Sequence, residues 1–331
     1  MKLSLMGRLF LAGAVVALAA GACGGGSDGA QPSSSGGKPE KTNLVVGAVP
    51  VPDVAPLQIA IRRGFFKEEG LTVKMEPIRS SIQALPALTA GTMDVTLFNY
   101  TVAFDQEEKQ PGSFKIIADA FQAASNTFVL VVPADSPITK PAELKGKTIA
   151  TPGITSIGTL LIEATLKTYG VNAKQDGIKY VEMPLPNVPQ ALKTKQIDAA
   201  LLAEPFISAV QKDQGARKIA DLITGPTADF PIAGWGASAE WVKKYPNTLA
   251  AFQRAIGKAQ QLASSDRKVV EEVLPAYTQI TKEVASVITL GTFPTSISDI
   301  RLQRVADVMY DNGWLKNKGN AKAIIVGQTG T

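Results

Sequence analysis

The 331 residues contain no histidine and one cysteine, Cys23. Those two counts exclude an imidazole general base, a Ser-His-Asp triad, a Cys/His zinc site and an internal disulfide. Most hydrolase chemistry goes with them. No nucleophile paired with a base and no metal constellation stands out elsewhere, so neither a cofactor nor a catalytic residue is expected. Aromatic residues make up 6%, and basic residues are scattered, in nothing longer than pairs such as Arg62-Arg63 and Lys243-Lys244. With no basic stripe and no interleaved stacking residues, a nucleic-acid partner is not indicated. No apolar run reaches the roughly 20 residues that a membrane-crossing helix needs. What remains is a chain 45% apolar and 19% charged, a folded globular balance. Its length suits about two domains of ~100 to 200 residues.

Lys2 and Arg8 precede an uncharged apolar stretch, Leu9 to Ala20, and the small residues Ala20-Gly21-Ala22 lead to Cys23. A basic start, a short apolar run and a small-residue cleavage site predict a secretory signal over 1–22. A thiol directly after the cleavage site resembles the bacterial lipoprotein signal, which implies that Cys23 is acylated and becomes the first mature residue. The place three residues before the cysteine, usually leucine in such signals, holds Ala20, and the same bond also suits ordinary cleavage. Removing 1–22 leaves 32 basic and 29 acidic residues, a net charge of +3. The run GGGSDGAQPSSSGGKPEKT, Gly24 to Thr42, offers almost nothing apolar to bury. Residues 23–42 therefore read as a flexible tether with a root-mean-square reach of about 25 Å.

From Leu44 the pattern is regular. A short apolar strand over 44–49 is followed by a Pro52-Asp53 turn and a helical stretch around Leu57, Ile61 and Phe65. Leu71, Val73 and Met75 then alternate with Thr72, Lys74 and Glu76, a half-buried strand. Further strands are predicted over 94–99, 114–120, 127–132, 147–151, 179–183 and 199–203. Helices are predicted over 81–90 and 188–195, and another has Ile157, Leu160, Leu161 and Ala164 on one face. Such alternation implies α/β architecture with mainly parallel sheets flanked by helices. After Trp241 only helical stripes remain, Leu249-Phe252-Ile256-Ala259 and Leu302-Val305-Ala306-Met309. This helical C-terminal tail packs most simply on the first lobe. The organisation expected is lobe 1 over 43–131 and 234–331 and lobe 2 over 132–233, joined by crossing strands at 128–132 and 232–238.

Four segments in order carry a resemblance: PLQIAIRRGFFKEEGLTVKMEP (56–77), LTAGTMDVTLFN (88–99), DSPITKPAELKGKTIATPG (135–153) and ALKTKQIDAALLAEPF (191–206). Together they resemble the solute-binding proteins of nitrate, sulfonate and taurine ABC importers and their thiamine-precursor relatives, over about 43–315. The resemblance implies a two-lobed periplasmic-binding-protein fold of the second type, closing on its ligand like a hinged clamp. It also implies an extracytoplasmic monomer, held at the outer face of the membrane through Cys23, that hands a small solute to permease and ATPase subunits. Ligands of open α/β sheets bind beyond the carboxyl ends of the strands, and closure requires contact with both lobes.

Candidate ligand contacts follow from those strand ends. Gly153, Thr155 and Ser156 lie between a strand and a helix start, where free N–H groups attract an oxyanion, although a hydroxyl there can equally serve as a helix cap. Asn99, Tyr100 and Thr101 follow a buried strand, and Asn126 opens the first crossing, as a ligand donor or as a turn residue. Pro52 and Asp53 occupy the loop after the first strand, with Asp53 also readable as a cap. Glu204 ends an apolar strand where related proteins present a cleft carboxylate. It reads either as a partner for an amine or ring N–H, or as a helix-start glutamate ahead of Pro205. Phe230 and Trp235 flank the return crossing and read as stacking faces or as core.

Two classes of function compete on this pattern. One is a non-catalytic receptor for a small oxyanion-bearing solute, with sulfonates ahead of thiamine-type pyrimidines and nitrate. The other is an enzyme on the same fold. The relatives that make the thiamine pyrimidine sacrifice an active-site histidine, which this chain lacks.

Overall fold

The computed structural model describes residues 37–326. The signal segment, Cys23 and most of the tether lie outside the described residues. Two five-stranded sheets form. The first has the order β2-β1-β3-β10-β4, from β1 (Asn43–Ala48), β2 (Thr72–Pro77), β3 (Val95–Asn99), β4 (Phe114–Gln122) and β10 (Pro231–Ser238). The second has the order β7-β6-β8-β5-β9, from β5 (Phe128–Val132), β6 (Thr148–Thr151), β7 (Lys179–Glu182), β8 (Ala199–Ala203) and β9 (Arg217–Asp221).

Both sheets are mixed rather than mainly parallel. β1 pairs in parallel with β2 and β3, and β6 with β7 and β8. The strand that enters from the other lobe, β10 or β5, runs antiparallel to both of its neighbours. A strand arriving from the opposite lobe comes in against the direction of the βαβ units it joins, which single-strand patterns do not reveal. Phe128–Val132 pairs with β8 and β9, so β5 belongs to the second sheet and not to lobe 1, where a boundary at 131 would place it. The chain leaves the first sheet after Gln122 and returns to it at Pro231.

Sheet alternation sorts the core. In β5, Val129 and Val131 join the cluster formed with the helices Val188–Lys193 and Phe206–Gln214, while Leu130 and Val132 face the larger cluster. That larger cluster runs through the helix Ile157–Thr168, the return crossing and lobe 1. This is the period of two expected for strands covered on both faces. The helical tail packs on lobe 1: Phe252, on the helix Pro246–Ser265, lies tilted against Phe66 and edge-on to Trp235, with ring centroids 5.5 and 6.3 Å apart. Gln253 Nε2 of the same helix donates to Ile117 O of β4.

The tether stops short of Thr42. Glu40 accepts hydrogen bonds from the N–H groups of Asn247 and Thr248, capping the first turn of Pro246–Ser265. Burial raises the Glu40 carboxyl, but those N–H groups outweigh it and hold the group down at about 2. Lys41 pairs at 2.6 Å with the buried Asp94, which also accepts from Trp241 Nε1 and Val45 N. A polar tail end is ordered here because it satisfies groups the folded part would otherwise leave bare.

Candidate functional site

Strand directions locate the cleft edge. β3 and β4 run parallel to one another on either side of antiparallel β10, so their carboxyl ends share one edge with that of β1. The chain crosses from this edge. In the second sheet Phe128, at the start of β5, lies opposite Ala203, at the end of β8, so the chain enters at the carboxyl ends of β6 and β8. The loops after β1 and β3 in lobe 1, and after β6 and β8 in lobe 2, therefore gather where the two sheets are joined.

After β6, Thr151-Pro152-Gly153-Ile154-Thr155-Ser156 leads into the helix Ile157–Thr168. Gly153 O accepts from Ser156 N (3.1 Å) and Thr159 Oγ1 (2.8 Å), folding the loop back on the helix start. Thr159 Oγ1 and Thr151 Oγ1 lie 3.1 Å apart. The helix has no side-chain cap. Ser156 is its N-cap residue in extended conformation, yet its buried hydroxyl has no partner. Thr155 is exposed, and so is Ile154. An uncapped twelve-residue helix with an unpaired hydroxyl at its start has free donors of the kind that can receive an oxyanion.

After β8 the structure favours the helix-start role for Glu204. Its carboxylate accepts from Ser208 N (3.1 Å) and Ser208 Oγ (2.9 Å), in the first turn of Phe206–Gln214. Pro205 follows a cis bond and precedes the helix rather than standing at its first position. Each oxygen of Glu204 accepts one of these bonds, which leaves about two further acceptor positions on the carboxylate.

In lobe 1, Asn99 turns inward: its Oδ1 accepts from Thr101 N (3.2 Å) and Thr101 Oγ1 (2.8 Å), capping the helix Tyr100–Lys109. Tyr100 and Thr101 are buried in that helix. The Tyr100 hydroxyl donates to Asp119 at 2.8 Å, and Asp119 also meets Arg301. Gly234 makes room, since a Cβ there would lie 2.7 Å from the Tyr100 oxygen. Phe230 and Trp235 are both 0% exposed, so neither offers a stacking face. They were open to either reading because an aromatic next to a crossing has the same sequence pattern in a cleft as in a core.

Asn126 sits where the chain crosses from the first sheet to the second, in left-handed conformation, φ 66°, which asparagine tolerates. Its N–H donates to Asp221 Oδ2, and its side-chain oxygen accepts from Lys218 Nζ. Asp221 also accepts from Ile223 N and Ser125 Oγ, so one carboxylate ties the outgoing crossing to the return crossing.

After β1, Pro52 is half-buried and opens a short turn, Pro52–Val54. Asp53 is 9% exposed and makes no side-chain cap. Burial pushes its carboxyl from 3.8 up to about 7, against the pull of its own N–H. The nearby hydroxyl of Tyr277 is buried without a partner, and burial together with the Asp53 charge raises it well above its usual value. Tyr277 had no signal in the sequence, being one aromatic in a helical tail.

The family model described as NMT1/THI5 like matches residues 51–268. The chain is 26% identical over 253 residues to the nitrate import ATP-binding protein NrtC of Synechocystis, covering 71% of this chain and 37% of that one. It is 25% identical over 246 residues to the nitrate/nitrite binding protein NrtA of Nostoc, covering 68% and 54%. The match thus spans about a third to a half of those relatives. In fold it resembles the alkanesulfonate-binding protein SsuA of Xanthomonas axonopodis bound to MOPS, with TM-score 0.69, 18% identity and coverage of 87% and 99%. It also resembles the desulfurization enzyme DSZB, with TM-score 0.66, 16% identity and coverage of 87% and 97%. Among the described residues no helix is long and apolar enough to cross a membrane.

Proposed function

Because the chain belongs to the NMT1/THI5-like family, we infer that it is a solute-binding protein of an ABC importer of the nitrate/sulfonate type. In this reading it captures a small oxyanion-bearing solute between two lobes outside the membrane and passes it, chemically unchanged, to a permease. Acylated Cys23 would hold it at the outer face of the membrane. The observation that carries the reading is the uncapped start of Ile157–Thr168, with the unpartnered Ser156 hydroxyl, at the edge shared by both sheets. Sulfonates stand ahead of nitrate because the exposed Ile154 beside that start, and Ile82 at the start of Ser81–Thr89, suit a solute with an apolar portion. Burial of Phe230 and Trp235 removes the stacking surface that a pyrimidine would have used.

Thermal-shift screening against alkanesulfonates, nitrate, bicarbonate and pyrimidines tests the reading, since a ligand at 100 times its Kd adds about 2.7 kcal/mol of stability. Binding of an oxyanion that Ser156→Ala weakens about tenfold supports it, at ~1 to 2 kcal/mol for a hydrogen bond to a charged group. Tight binding of an uncharged pyrimidine, or turnover of any ligand, overturns it.

A further inference from the structure

We propose that Thr159 is a positioning residue for solute capture: its hydroxyl holds the loop after β6 in the shape that leaves the Ser156 hydroxyl and the helix-start N–H groups free for an oxyanion. The proposal rests on the reading of that helix start as the anion site and names the group that shapes it. Thr159, in the first turn of Ile157–Thr168, is 1% exposed, and Thr151, at the end of β6, is fully buried. Thr159 Oγ1 donates to Gly153 O at 2.8 Å, and because a carbonyl only accepts, the single hydroxyl proton is spent there. The 3.1 Å contact between the two threonine hydroxyls then runs from Thr151 to Thr159. Strand end, helix turn and loop are joined by a relay whose every direction is fixed, from Thr151 through Thr159 to Gly153. Gly153 O takes its second hydrogen bond from Ser156 N. By tying Gly153 back to the helix, Thr159 fixes the turn Gly153–Ser156 and with it the direction of the Ser156 side chain. A serine hydroxyl at an N-cap is ordinarily spent on an N–H of the first turn. That of Ser156 is not: it is buried, makes no cap and has no partner. Gly158 keeps the space beside it open, since a Cβ there would lie 3.4 Å from the Ser156 and Thr151 oxygens and 3.1 Å from Leu201 Cδ1. A buried donor kept unpaired is a cost to the fold unless something binds it, and the relay is what keeps it unpaired.

The experiment is calorimetric titration of the full chain with ethanesulfonate, nitrate and hydrogen carbonate, using the wild type, Thr159→Val, Thr159→Ser, Ser156→Ala and the double variant Thr159→Val/Ser156→Ala, each with its melting curve. Valine keeps the shape of threonine and removes the hydroxyl. The expected result is that Thr159→Val weakens the probe bound most tightly by the wild type about tenfold, as Ser156→Ala does, and that Thr159→Ser restores it to within about twofold. The double variant should lose much less than the roughly hundredfold that independent contributions would give, because Thr159 acts through Ser156. Should Thr159→Val not fold, Thr151→Val, which breaks the outer link alone, takes its place with about a threefold loss expected. A Thr159→Val protein that melts lower yet binds as the wild type does would overturn the positioning role. So would losses that multiply in full in the double variant, or a Thr159→Ser protein that binds no better than Thr159→Val. In each of those cases a loss on Ser156→Ala leaves the anion reading standing. A wild type that binds none of the three probes, or binding that Ser156→Ala does not weaken, overturns the anion reading and the role of Thr159 with it.

Discussion

The indole N–H of Trp314 donates to the carboxylate of Glu163 at 2.6 Å, joining the tail that packs on lobe 1 to the helix Ile157–Thr168 that follows β6 of the second sheet. One turn further on, Lys167 Nζ donates to Asp311 O. Both ties spring from the helix whose other end carries Ser156. Burial raises the Glu163 carboxyl, and the bond from the indole offsets only part of that, so the group stays above its ordinary value. Trp314→Phe removes the donor and leaves a half-buried carboxylate unpaired, so it should cost about 1 to 3 kcal/mol. Glu163→Gln retains an acceptor and should cost less. Urea titration of the three proteins checks the order.

Asp53 sets a pH dependence whose sign follows from its raised value. The folded chain holds the Asp53 proton more tightly than the unfolded chain does, so the protonated group favours folding at low pH. That contribution is lost as pH rises from 3.8 to about 7. Tyr277 is the titratable group coupled to it. Asp53→Asn should therefore gain on the wild type with rising pH in the absence of solute, by up to about 4 kcal/mol above neutrality. Denaturation at pH 5 and pH 8 measures the difference. An equal gap at both values would be contrary to this account.

Arg301 is the cation that compensates Asp119, 1% exposed within the first sheet beside Tyr100. Arg301→Met should destabilise by about 3 to 5 kcal/mol, because an unpaired buried carboxylate is left behind. Adding Asp119→Asn should recover much of the loss, and a double-mutant cycle by thermal melting reads the coupling.

Glu204→Ala should cost about 1 kcal/mol of stability through the lost first-turn bonds to Ser208. Solute affinity should stay within about twofold. A large loss of affinity, measured by calorimetry, would return Glu204 to the ligand contacts.

Much of the fold was legible from local pattern. The strand over 71–76 and the Ile157-Leu160-Leu161-Ala164 face were visible because burial on one side imposes a period, and the strands over 44–49 and 94–99 because burial on both faces leaves a short apolar run. β9 was not legible: Arg217-Lys218-Ile219-Ala220-Asp221 is an edge strand with one buried residue, so alternation has little to show. The helix Tyr100–Lys109 was missed for a related reason. Its buried positions lie in its first turns, where Asn99 and Thr101 resemble a loop until the Asn99 cap is seen.

The amino-acid sequence by itself determined the two alternating α/β segments, the helical tail and the absence of imidazole chemistry, all properties of residue type and short-range spacing. Only the tertiary structure decided which polar groups are spent and which are free. Glu204 and Tyr100 bond to Ser208 and Asp119, and Asp53 to its own N–H, whereas the hydroxyls of Ser156 and Tyr277 are left without partners. The physical reason is that a hydrogen bond is settled by which groups meet in space. The Tyr277 hydroxyl, more than two hundred positions from Asp53 along the chain, feels the charge of that carboxylate only in the folded chain.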